Sequence, residues 1–318
     1  MKIKTPHQKE SLARSITRKA SKQSYFTARL LVDKPLEEDC YRAYGYFRWA
    51  DDVIDQGCQT QAERLDFIQS QIDLVEQLCK GQRPISLSPE EEIIADLISH
   101  ESGEACKLRS YVRNFLAILQ FDAERKGRFI SQKELAWYSE RLGVAVTDAI
   151  QHFIGNGHAY PEDEVRYLAA NAAHITHMLR DYVEDIEEGY FNIPVEYLEQ
   201  HNIQPEDIEN EAFKEWVKQR VTLAREYFDQ GKRYLDKLDV LRCKLAGHWY
   251  CLRFDGVLET IEEDGYLLRT NYNTRNQLIT WLKFLGLGIK VTLQHTFRNM
   301  DRCPWPVNPQ IKYGPASQ

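Results

Sequence analysis

The segments FRWADDVIDQ (47–56) and HMLRDYVEDIEEG (177–189) decide how this chain is read. Each carries two aspartates at i and i+4: Asp51 and Asp55 in the first, Asp181 and Asp185 in the second. Both segments have helical periodicity, and residues four apart on a helix share a face. Each pair therefore projects two carboxylates in one direction. Tyr46, Phe47, Trp49, Val53 and Ile54 flank the first pair and predict a substantially buried helix. Four buried carboxylates repel one another unless cations lie between them. A hard divalent ion with oxygen ligands, most simply Mg²⁺, resolves that repulsion and keeps positions open for substrate phosphates. The residues alone thus predict a Mg²⁺–diphosphate site between facing helices.

An arginine accompanies each pair: Arg48, three residues before Asp51, and Arg180, next to Asp181. Arg48 can be read as an ordinary helix ion pair worth about a few tenths of a kcal/mol. It can also be read as a fork gripping phosphate oxygens, which suits arginine better than lysine. Upstream of the second pair, His174 and His177 fall on the same stripe as Asp181 and Asp185. Two half-buried imidazoles are the plain reading. A transition-metal site is the other, though the pattern is not HExxH and the facing motif offers only oxygen.

Outward from these segments the period is helical almost everywhere. Helices are predicted over 8–31, 36–56, 60–80, 88–101, 107–127, 131–155, 161–188, 205–238, 241–262 and 275–296, with no strand alternation. Ser88 before Pro89 and three glutamates reads as an N-cap with proline at N1. No linker or repeat interrupts the chain. The expected organisation is an N-terminal segment (1–14), one all-α domain (15–296) and an irregular tail rich in proline (297–318). A net charge of −7 argues against a nucleic-acid partner. Seven scattered cysteines without a CxxC pair read as reduced thiols, which favours the cytoplasm. No run approaches 18 apolar residues. The nearest, LITWLKFLGLGIKV (278–291), is broken by lysines and reads as a buried C-terminal helix, with peripheral membrane contact as the alternative.

The chain resembles the squalene/phytoene synthase family. LRDYVED, followed by Gly189 and Pro194, is similar to its second aspartate-rich motif, and FRWADDVID to its first. SKQSYFTARLLV (21–32) resembles the segment in which a serine begins a diphosphate-binding flap. FDAERKGRFISQKELAWYSERLG (121–143) resembles the stretch with a D-x-E and an active-site tyrosine, here Tyr138. The resemblance is thinner beyond 195, where Tyr266 in DGYLL matches a pocket tyrosine. It implies a single isoprenoid-synthase helical bundle with a central active-site cavity. It implies two or three Mg²⁺ ions held by Asp51, Asp55, Asp181 and Asp185. Ser21, Arg48 and Arg180 would bind diphosphate, and Tyr138 would line the cation site. The implied substrates are prenyl diphosphates of C10–C20, ionised to allylic cations and most typically joined head to head. NADPH use is left open, since the chain has no Gly-rich dinucleotide fingerprint and the family needs none.

Several positions depart from the family pattern. His174 and His177 stand for Gln and Asn, so His177 either replaces a metal ligand or leaves the metal one oxygen short. LGVAVT (142–147) stands for a small, Gly-containing run, with Val144 and Val146 adding bulk beside the substrate. Tyr190 and Asn192 stand for Arg and Tyr. Imidazoles near a carbocation could also serve as the base that ends a cascade. Three readings follow: a head-to-head condensing enzyme; a divergent member using one prenyl diphosphate, either cyclising it or transferring it to a small-molecule acceptor; and a non-catalytic scaffold. Retention of all four aspartates argues against the last, because unpaired buried carboxylates cost stability.

Overall fold

Local signals set where the helices begin. The computed structural model describes residues 11–99, 107–272 and 277–302. Ser11, Ser21, Thr60, Ser131 and Asn210 each cap a helix by accepting a backbone N–H with the side chain. Ser88 does the same for Glu91, whose carboxylate accepts the Ser88 N–H in return at 2.8 Å. The described residues form α1 (Leu12–Ala20), α2 (Lys22–Leu31), α3 (Glu37–Asp52), α4 (Gln61–Cys79), α5 (Pro89–Ser99), α6 (Lys107–Arg125), α7 (Gln132–Phe153), α8 (Leu168–Glu187), α9 (Val195–His201), α10 (Glu211–Lys237), α11 (Leu241–Glu263) and α12 (Gln277–Arg302). There is no strand among them, only an isolated bridge between Ile130 and Pro194. The fold is all-α, as the periodicity predicts.

Some boundaries differ from those predicted. The helix over 8–31 is two, because Ser21 takes an extended backbone that ends α1 and caps α2. The helix through 56 ends at Asp52, and residues Val53–Gly57 form a π turn. The segment 161–188 starts with a 3₁₀ turn (Glu164–Tyr167) before α8. The short α9 is absent from the prediction. Seven residues span only two turns, too few to display a helical period. At the other end α12 continues to Arg302, past the expected start of an irregular tail at 297; the remaining tail positions lie outside the described residues.

The helices pack in sequence order over much of the chain: α6 on α7, α7 on α8, and α10 on α11. Helix α8 is the centre, touching α7, α10 and α11. Helix α3 buries Tyr41, Tyr46 and Phe47 against α1, α5 and α6, with the Tyr46 hydroxyl donating to Gln71 of α4 at 2.9 Å. Helices α8 and α10 pass close together. A Cβ at Gly231 would sit 2.6 Å from the Ala169 backbone nitrogen. Gly231→Ala should therefore destabilise the protein by about 1–3 kcal/mol, although alanine is the better helix former. A urea midpoint at or above the parent value would refute this packing.

One expectation fails. Helix α12 is not a buried C-terminal helix: it packs on α11 along one face, and Leu282, Leu285, Ile289, Leu293 and Phe297 are exposed on the other. The lysines that interrupt the apolar run mark this two-faced character.

Candidate active site

Asp51 lies in the last turn of α3, and Asp55 in the π turn that follows. A π turn adds a residue to the helical circuit, so the two carboxylates are not strictly stacked; such turns recur at functional sites. Arg48 donates to Asp51 at 3.2 Å and also bonds Asp52. Burial pushes Asp51 up to about 7, and the neighbouring carboxylates Asp55 and Asp122 add to the shift while Arg48 opposes it. Burial likewise raises Asp185 to about 8, with Asp181 the next cause. Asp181 goes the other way. Burial would raise it, but a hydrogen bond from His177 and the Arg180 guanidinium hold it below the usual carboxylate range. Arg180 chelates Asp181 through Nε at 2.5 Å and Nη2 at 2.6 Å, and His177 Nε2 lies 3.0 Å from Asp181 Oδ2.

The two motifs meet around residues that the motifs themselves do not contain. Asp122, near the end of α6, is buried, and its carboxyl is raised chiefly by that burial. It accepts from Arg125 Nε at 2.7 Å and from the Tyr138 hydroxyl at 3.0 Å. Arg125 lies 4.8 Å from the ring centres of both Tyr138 and Tyr190. Its Nη1 donates to Asn192 Oδ1 at 2.9 Å, and Asn192 Nδ2 donates to Asp185 Oδ2 at 2.7 Å. Tyr190 donates to Asp55 Oδ1 at 2.6 Å, and Lys126 Nζ to the Asp55 carbonyl at 3.1 Å. A continuous polar bridge thus runs from Asp55 through Tyr190, Arg125 and Asn192 to Asp185. Gly189 makes it possible: at φ +89° it ends α8 in the left-handed region and turns the chain back over the site. Its carbonyl accepts from the Gly127 N–H at 2.8 Å, fastening the α8 exit to the α6 exit.

The histidines divide. His177 is half exposed and bonds Asp181, with its ring 6.1 Å from that of Phe254. As placed, its Nε2 faces a carboxylate rather than an open ligand position. His174 is buried, with its ring centre 5.0 Å from that of Tyr138 and its Nε2 without a hydrogen-bond partner. Burial keeps it well below the ordinary imidazole value, helped by the positive fields of His177, Arg125 and Arg220. Arg220 comes from α10; burial lowers it to about 10, and no carboxylate pairs with it among the described residues.

The remaining sequence-predicted residues are placed as follows. Ser21 accepts from the Ser24 N–H at 3.1 Å, while Gln23 of the same helix reaches Arg253 of α11 at 2.5 Å. The Arg180 charge acts on Arg253, so a second cation stands beside the second motif. Val144 is half-buried on α7; the tight spot is its neighbour Gly143, which lies against Asn171 of α8. Tyr266, at φ +66°, closes the C-terminal turn of α11, and its ring packs on the main core. Phe254 is the α11 aromatic that meets His177. Asp122, Arg125, Lys126, Asn192, Arg220 and Arg253 were not among the predicted site residues. The D-x-E signal pointed to Asp122, and Tyr190 and Asn192 stood out as departures; Arg125, Arg220 and Arg253 carried no signal.

Hard oxygen donors that repel one another, as the raised Asp51 and Asp185 carboxyls show, suit Mg²⁺, which takes one or two carboxylates and retains several waters. Among the described residues no three His, Cys, Asp or Glu side chains converge on one point. The oxygen-only donor set of Asp51, Asp55, Asp181 and Asp185 is of the kind that suits such an ion.

The family model described as squalene/phytoene synthase matches residues 17–281. The chain is 24% identical over 296 residues to a 15-cis-phytoene synthase of Synechocystis sp., covering 87% of this chain and 83% of that one. It is 23% identical to a 15-cis-phytoene synthase of Synechococcus elongatus, covering 87% and 90% respectively. Among solved structures, squalene synthase HpnC from Alicyclobacillus acidocaldarius superposes with a TM-score of 0.63 at 18% identity, over 81% of this chain and 94% of that one. A dehydrosqualene synthase in complex with ligand gives 0.64 at 14% identity, over 88% and 94%. At these identities the structural likeness establishes the fold.

Proposed function

The chain belongs to the squalene/phytoene synthase family, whose members are prenyltransferases, and from that premise we propose that it ionises prenyl diphosphates of C10–C20 with Mg²⁺ and condenses them head to head. The observation that carries this reading is the meeting of both aspartate pairs around one buried bridge. Asp51, Asp55, Asp181 and Asp185 would hold the ions. When bound, Mg²⁺ supplies charge neutralisation to the departing diphosphate. The chain's own residues do the rest. Arg48, Arg180 and Arg253 receive the diphosphate oxygens, so that negative charge developing on them is met by fixed cations. The Tyr138 and Phe254 rings present apolar, electron-rich faces suited to an allylic cation. Tyr190 and Asn192 hold Asp55 and Asp185 in place. We assign the catalytic unit to 15–296 as one domain and place the protein in the cytoplasm. No helix among the described residues is long and apolar enough to cross a membrane. The test is incubation with Mg²⁺ and C10, C15 or C20 prenyl diphosphates, with and without acceptors and NADPH, followed by mass spectrometry. Absence of diphosphate release with every substrate would refute the reading.

A second reading has one observation in its favour. His174 is buried, which holds its imidazole well below the ordinary value and favours the neutral form, and its Nε2 has no partner beside Tyr138. A neutral imidazole there can take a proton from a carbocation, as cyclisation or acceptor prenylation of one prenyl diphosphate requires. His174→Gln combined with His177→Asn separates the two. Under the second reading the double variant loses or redistributes its native product while still releasing diphosphate. Under the first, product identity and rate are unchanged.

A further inference from the structure

Arg220 is a cation of the interior that the proposed chemistry leaves unused. Two contacts fix the antiparallel register of α10 on α8. Gly231 lies against Ala169, and the Phe213 ring is 5.1 Å from that of Tyr182. Arg220, between them on α10, falls beside the middle of α8, where His174 and His177 stand. Its charge acts on His174 there. The side chain is half-buried, yet deep enough that loss of water lowers it to about 10.

The other arginines of the site are engaged. Arg48 bonds Asp51 and Asp52, and Arg180 bonds Asp181. Arg125 bonds Asp122 and Asn192, and Arg253 bonds Gln23. No ion pair or hydrogen bond holds the Arg220 guanidinium among the described residues. On the facing helix, His174 Nε2 is buried and also without a partner. A guanidinium drawn out of water with no counter-charge works against folding. It also works against an allylic cation formed in the same interior, because like charges repel most strongly where water is excluded. One bound oxyanion removes both penalties. The guanidinium fork suits carboxylate and phosphate oxygens, and a neutral imidazole can offer the same group an N–H.

We propose that Arg220, with His174 across from it, forms an anion subsite that takes a carboxylate or phosphate group of the second substrate. This rests on the reading that a prenyl diphosphate is ionised here, and deepens it: the molecule that meets the allylic cation carries its own negative group. Two sources share this chemistry, the diphosphate of a second prenyl substrate and the carboxylate of an acidic acceptor.

The test is calorimetric titration and thermal melting of the full chain in EDTA, with inorganic diphosphate in one arm and benzoate in the other. Without metal the remaining arginines stay with their partners, so binding reports on Arg220. The parent should bind at least one of the two and melt higher in its presence. Binding of diphosphate assigns the subsite to a second prenyl diphosphate; binding of benzoate alone assigns it to an acidic acceptor. Arg220→Leu should weaken the binding at least about tenfold, the scale of losing a hydrogen bond to a charged group. Without ligand the same variant should melt above the parent, because it removes a partnerless charge from the interior. A side chain that only supports the fold would do the opposite. Arg220→Gln, which keeps polarity without charge, should lose the binding as well. Three results would overturn the proposal: neither anion binds the parent, both variants bind as the parent does, or Arg220→Leu melts below the parent. These readouts need neither Mg²⁺ nor turnover, so their failure is separate from a failure to release diphosphate from prenyl substrates.

Discussion

Asp51→Asn and Asp181→Asn are each expected to lower diphosphate release by about 10²-fold or more, the scale on which loss of one charge-stabilising group acts in an enzyme site. The helices should remain folded. The reason lies in the electrostatics of the clustered carboxylates. Asp51 is raised to about 7 by burial and by its carboxylate neighbours, against a value of about 3.9 in an unfolded chain. A raised carboxyl means that the folded state holds a proton the unfolded state has lost. Metal-free stability should then decline as pH climbs from about 4 through 7, and Asp185, raised to about 8, extends the decline. Asp51→Asn removes one contributor, so its metal-free melting profile should be flatter across that interval. The Asp51 side chain is still 38% exposed, which keeps the effect modest. Mg²⁺ with inorganic diphosphate should raise the parent melting temperature by mass action and leave the variants nearly unmoved. Near-normal turnover in either variant, or an equal thermal shift in parent and variants, would remove these aspartates from the site.

Arg125→Leu should be the most damaging substitution to the fold, at about 3–5 kcal/mol. The Arg125 and Asp122 side chains are only 6 and 13% exposed. Arg125 bonds Asp122 and Asn192 and stacks between two tyrosine rings. Removing the guanidinium leaves Asp122 buried among the site's other carboxylates, whose charges already raise one another. Chemical denaturation of Arg125→Leu, Asp122→Asn and the double variant measures the coupling. The double variant should recover a large part of the loss, because it also removes the stranded charge. Additive losses would mean that Arg125 acts through packing alone.

The helices were readable because their signals are local. Capping side chains such as Ser88 and Ser131 bond the backbone three residues ahead, and apolar residues recur at the helical period. The aspartate pairs were legible for the same reason: i and i+4 is a short-range relation. Boundaries failed where backbone geometry answers to the rest of the fold. Asp52 ends α3 and a π turn follows, which no propensity at Val53–Gly57 announces.

The sequence by itself determined the helical class and the two aspartate segments that resemble the family's motifs, since each rests on spacings of a few residues. Only the tertiary structure decided what stands between those segments. Tyr190 and Asn192, which read as losses in the motif, bond Asp55 and Asp185 once Gly189 turns the chain back. Arg125 and Arg220 look like any other helix arginine until packing removes their water. The exposed face of α12 was hidden for a related reason. An apolar run records that a helix can be buried, but which of its faces meets protein depends on the geometry of α11 beneath it.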